Sequence, residues 1–133
     1  MKITARLAML CLAALSFAGH THNVTMPEDI KDMSLKKVAD NVYVVHGIHA
    51  MPDKNNKGFI SNSGIVVSDE GVVIIDTGGS LQIGEMLLNK AREVTDKPVV
   101  AVFNTHLHGD HWMGNAAIRK AYPDIQMISF GPN

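Results

Sequence analysis

Val72-Val73-Ile74-Ile75-Asp76-Thr77-Gly78-Gly79 begins as a wholly apolar run and stops at an aspartate, a threonine and two glycines. An unbroken apolar run of this length, with no alternation, suits a strand buried on both faces. Ser80, just beyond, is a residue type that caps helices. Ile83, Leu87, Ala91 and Val94 then recur at spacings of 4, 4 and 3, one apolar helical stripe. Asp96-Lys97-Pro98 ends that helix, and Val99 to Phe103 is a second wholly apolar strand. Strand, helix, strand across residues 72–103 predicts a βαβ unit with parallel strands.

Upstream, Leu35 to Val38 and Val42 to His46 are β-rich pieces around a turn at Ala39-Asp40-Asn41, a predicted hairpin. Ala50 to Gly58 is rich in residues that resist regular structure and is a loop. Phe59 to Val67 is the next expected strand, closed by a tight turn at Ser68-Asp69-Glu70-Gly71. Downstream, Asn104 to Trp112 is expected to be a loop. Asn115 to Ala121 is a short helix capped by Asn115, and Ile125 to Phe130 a last strand. The fold class is therefore α/β, an α+β mixed sheet that is antiparallel first and parallel later, with helices packed on it.

The 133 residues suffice for one domain. With 46% hydrophobic and 19% charged residues the composition is that of a globular protein. A net charge of −1 gives no footprint for nucleic acid or an anionic membrane. Residues 1–18 combine Lys2 and Arg6, an apolar stretch from Leu7 to Leu15, and Ser16-Phe17-Ala18. This is the three-part pattern of a secretory signal peptide, cleaved after Ala18. Residues 19–34 are a flexible lead-in, and 35–133 the domain itself. Without Lys2 and Arg6 the balance is 10 basic to 13 acidic residues, near −3. Cys11, the single cysteine, falls in the signal, and the residues before it fit a lipid-anchor signal poorly. The expected mature chain is thus periplasmic or secreted, with no disulfide, no thiolate ligand and no stable membrane anchor. Its oligomeric state is open.

One segment gathers the chemistry: Asn104-Thr105-His106-Leu107-His108-Gly109-Asp110-His111-Trp112. Three of the seven histidines lie here, after the carboxyl end of a buried strand, where open α/β sheets bind ligands. In an extended stretch His106 and His108 point the same way and can share one ion, while Leu107 points oppositely, into the core. Gly109 permits a sharp bend, after which Asp110 and His111 face the same cavity from another side and can hold a second ion. Two ions about 4 Å apart form a hydrolytic device. Imidazole with carboxylate suits zinc, with manganese or iron as other possibilities. The plainer reading is a histidine-rich surface loop. His46 and His49 either line the mouth of a site or are simply solvated. Trp112 either walls the site or packs beside the short helix.

Thr105-His106-Leu107-His108-Gly109-Asp110-His111 resembles the His-x-His-x-Asp-His signature of the metallo-β-lactamase superfamily. Gly114-Asn115, Ile74-Ile75-Asp76-Thr77-Gly78 and Asn62-Ser63-Gly64 are similar to other stretches of that family, and the likeness spans roughly residues 35–130. The resemblance implies the first half of an αββα sandwich, with His106 and His108 on one zinc ion and Asp110 and His111 on the second. It makes Asp110 catalytic as well, orienting the attacking water or accepting its proton. It places Asp76 behind the ligands as a brace, although a strand-end turn aspartate is the simpler alternative.

In the family the remaining ligands come from later strands. Here no histidine follows His111, and Asp124 is the only later side-chain carboxylate. The sequence therefore reads as a truncated or fragmentary family member. The expected function is a zinc-dependent hydrolase whose activated water attacks an ester, thioester or β-lactam-like amide in a small-molecule substrate. It is similar to exported zinc metallohydrolases of the quinoprotein-associated type. The alternative is a non-catalytic metal-binding fragment.

Overall fold

The computed structural model describes Ile30 and residues 33–129. The expected signal peptide and most of the lead-in, with His20 and His22, lie outside the described residues. The elements are β1 (Leu35–Ala39), β2 (Val42–Val45), β3 (Ser63–Val67), β4 (Val72–Ile75), α1 (Leu81–Arg92), β5 (Val99–Asn104), α2 (Gly109–Trp112), α3 (Asn115–Ala121) and β6 (Gln126–Ser129). All six strands form one sheet in the order β1-β2-β3-β4-β5-β6. The first three pairings are antiparallel, and β4–β5 and β5–β6 are parallel. The mixed sheet read from the sequence is therefore the sheet observed.

Local chemistry explains the joints. Asn41, at φ +60°, turns the first hairpin, a conformation Asn tolerates better than most side chains. The Ser80 hydroxyl accepts the Ile83 N–H at 3.4 Å and starts α1. Ile83, Leu87 and Ala91 are buried along its inner side, against Ile65, Val72, Ile74 and Val102 of the sheet and Ile118 of α3. Lys90 and Arg92 sit in the last turn, where cations complement the helix dipole. In the 50–58 loop, Asp53 accepts the backbone N–H groups of Asn56 and Asn55, each at 2.8 Å. Those bonds, Asn56's first, hold its carboxyl below the usual carboxylate range.

Four expectations change. The third strand begins at Ser63 instead of Phe59, because residues 59–62 leave the ladder and bond across the loop, with Ile48 N–H donating to Phe59 O at 2.9 Å. The loop after β5 contains a helical turn, α2. Asn115 does not cap α3: Gly114 is the N-cap residue, and the Asn115 side chain instead accepts the Thr77 hydroxyl at 2.7 Å. The packed part also starts before Leu35, since Met33 is buried in the core and Ile30 leans on it. No helix among the described residues is long and apolar enough to cross a membrane.

Candidate metal centre

The carboxyl ends of β4 and β5 lie side by side, with Ile75 opposite Phe103. The chain leaves them at Asp76 and Asn104, so the two motifs meet by register alone. Asp76 sits at φ +56° and is almost fully buried. Its Oδ1 accepts the Thr105 N–H at 2.8 Å and its Oδ2 accepts the Thr105 hydroxyl at 2.8 Å. Oδ2 also stands 2.7 Å from His111 Nδ1.

These contacts set the protons. A carboxylate can only accept, so in the neutral ring the contact with Asp76 selects the tautomer with the proton on Nδ1 and the Nε2 lone pair free. That Nε2 is 3.4 Å from Asp110 Oδ2. Thr105 spends its own proton on Asp76, so its oxygen accepts from His106 Nδ1 at 3.0 Å. His106 Nε2 is then also a free lone pair, and it faces His108 Nδ1 at 3.1 Å. Two nitrogens each 2.0–2.1 Å from one tetrahedral ion stand about 3.3 Å apart. The His106–His108 pair and the Asp110–His111 pair both have this spacing, and the free lone pairs are those a metal needs. The donor set fits zinc as two pairs. Among the described residues, no group of three or more such side chains is ready to hold an ion.

The four predicted ligands are thus brought together, with the His106 and His111 ring centroids 3.9 Å apart. The route differs from the expectation. His106 and Leu107 lie on bends instead of an extended stretch, and Leu107 is 81% exposed instead of pointing into the core. Trp112 does not pack in the core: it is exposed, and its indole N–H donates to Leu107 O at 2.8 Å. His46 is exposed, and the equally exposed His49 borders the cavity.

That cavity, of about 530 Å³, is lined by Gly47, His49, Ile60, Ser61, Asn62, Asp76, Asp110 and His111. Sequence reasoning missed what holds its floor. The Ser61 hydroxyl donates to Asp110 O at 2.5 Å, and Thr77 N–H donates to His111 O at 2.8 Å. Ser61 lies 49 residues from Asp110, beyond any local period. The one available signal was a small polar residue just before a valine-rich strand.

Comparison with known proteins identifies the family. The metallo-beta-lactamase superfamily model matches residues 56–129. A linear primary-alkylsulfatase of a Pseudomonas species is 38% identical over 67 residues, 50% of this chain and 12% of the enzyme. An atrochrysone carboxyl ACP thioesterase of Passalora fulva is 36% identical over 69 residues, 50% of this chain and 20% of the enzyme. A metallo-beta-lactamase of Pseudomonas aeruginosa, solved in its mono-zinc form, superposes with a TM-score of 0.60. It does so at 22% identity, over 77% of this chain and 43% of the lactamase, a likeness of fold. The chain therefore spans less than half the length of each of these proteins. With its strand-end Asp76, its paired imidazoles and that family match over residues 56–129, the chain belongs to the metallo-beta-lactamase superfamily.

Proposed function

We propose that this chain carries the metal-binding part of a zinc-dependent hydrolase acting on an ester, thioester or amide bond of a small molecule. The observation that carries the reading is the contact of the buried Asp76 carboxylate with His111 Nδ1 at 2.7 Å, which turns the His111 Nε2 atom towards Asp110. His106 and His108 would hold one ion, and Asp110 and His111 a second. Zinc, when bound, supplies a Lewis acid and lowers the pKa of water towards neutrality. The Asp110 carboxylate, part-exposed to the cavity, would orient the attacking water and accept its proton. Asp76 would keep His111, and through Thr105 also His106, in the ligating tautomer.

The bond cleaved is the finer question. One relative is a sulfatase and another a thioesterase, so the relatives differ in the bond they cleave. The His106–His111 segment supports metal chemistry and does not by itself choose among these bonds. The cavity suits a small molecule, and residues 1–18 support export to the periplasm or beyond.

The test is zinc content by elemental analysis, together with hydrolysis of a panel holding an aryl ester, a thioester, an alkyl sulfate and a β-lactam. Zinc-dependent turnover lost in His106→Ala and His108→Ala is the expected result. Zinc binding without turnover on any bond would assign the chain as a non-catalytic metal-binding fragment. Failure to bind zinc would sink both readings.

A further inference from the structure

The two halves of the metal centre are held in different ways. His106 and Leu107 lie on bends, and the Leu107 carbonyl is held by the exposed Trp112 indole. Asp110 and His111 lie on α2, whose carbonyls are tied to two other parts of the chain. Asp110 O accepts from the Ser61 hydroxyl, and His111 O from Thr77 N–H.

Ser61 itself has little freedom. It is 8% exposed. Gly47 packs so closely on its backbone that an added Cβ would stand 2.2 Å from Ser61 O. The same Gly47 donates its N–H to the neighbouring Asn62 side chain at 3.1 Å. The β2–β3 loop is thus clamped on itself, and its one hydroxyl aimed at α2 reaches the carbonyl of the residue that carries the Asp110 carboxylate.

We propose that Ser61 is the positioning residue of the Asp110–His111 half of the site. Through the Asp110 carbonyl it fixes where that carboxylate and the His111 ring stand, and so sets zinc affinity at this pair separately from His106 and His108. The proposal rests on the metal-site reading above. Its physical basis is general: groups that hydrogen-bond around ligands change metal affinity roughly 10–100-fold when removed.

Ser61→Ala removes one oxygen and adds no bulk, so the fold should survive. Zinc titrations of the full chain, followed by NMR of the individual imidazoles, read each pair separately. In Ser61→Ala the zinc concentration that shifts His111 should rise roughly 10–100-fold, while His106 and His108 respond as in the wild type. Without metal, amide hydrogen exchange should quicken at His111 and Met113, whose N–H groups close α2, and stay unchanged along β5. Unchanged exchange at both amides with unchanged zinc response would overturn the proposal. Equal weakening at both pairs with a lowered melting temperature would also overturn it, leaving Ser61 a merely structural residue. A wild-type chain whose imidazoles ignore zinc would sink the hydrolase reading instead, and the exchange arm would still judge the tether.

Discussion

At Asp76 the backbone and the side chain ask for the same residue type. The φ of +56° excludes β-branched residues and favours Asp or Asn, and three donors converge on the carboxylate. Asp76→Asn keeps the backbone and one acceptor, but turns an N–H group towards the Thr105 hydroxyl and His111 Nδ1. His111 then has no acceptor for its Nδ1 proton and loses its preference for the ligating tautomer. Zinc affinity at His111 should fall roughly 10–100-fold, and the unfolding free energy by about 1–3 kcal/mol, measured by zinc titration and urea denaturation. Asp76→Ala should cost more, since it also strips the acceptor from Thr105 N–H. An Asn variant with wild-type zinc affinity would show that the tautomer is set elsewhere. The histidines and Asp76 were legible because their spacing after two strand ends is local information. Leu107 was misread because alternation of side chains holds only in extended chain, and the bends at 106–107 cancel it. Ser61 and Thr77 were illegible because their hydrogen bonds join residues 34 to 49 positions apart.

The approach of α1 to α3 turns on Gly84. It lies buried in α1, and a Cβ there would stand 2.3 Å from Gly114 O and 2.8 Å from the Ala117 Cβ. Two effects compete in Gly84→Ala. Helix propensity favours alanine by about 1 kcal/mol. Forcing a methyl group into a packed contact costs about 1–3 kcal/mol, and the first obstacle here is a backbone carbonyl, which cannot rotate away. The contact should win, and a urea melt should show net destabilisation of up to about 2 kcal/mol. Gly114 also donates its N–H to Gly78 O at 2.9 Å, so the push should reach the strand end that bears Asp76 and weaken zinc binding too. A more stable Ala variant would mean the helices have room to part. The helix itself was plain from its apolar stripe, but nothing in that stripe marks Gly84 as a contact. For the same reason the start of β3 and the role of Asn115 escaped reading: both follow from partners across the fold.

Among the described residues the sheet is covered on one side only. Ile65, Val72, Ile74 and Val102 pack under α1 and α3 with little or no exposure. The opposite face carries two apolar rows fixed by the strand register. One is Val42, Val66, Val73 and Ala101; the other is Val44, Gly64, Ile75, Phe103 and Ile128. None of these side chains is buried, and Phe103 and Ile128 are 39% and 45% exposed. A sheet with both faces apolar belongs inside two layers, which is why the strands read as unbroken apolar runs in the sequence. That face has the character of a packing surface in a two-sheet sandwich, and exposed apolar area of this extent drives association. The chain in isolation is therefore expected to bind a hydrophobic dye and to sediment as a concentration-dependent mixture larger than a monomer. Phe103→Glu with Ile128→Lys should suppress both without lowering the melting temperature, because neither side chain is buried in the core. The pair sits two strands or more away from Ser61 and β2, so metal-free exchange at His111 should be unchanged. A wild-type chain that stays monomeric at high concentration and leaves the dye dark would show that this face is covered from within the chain.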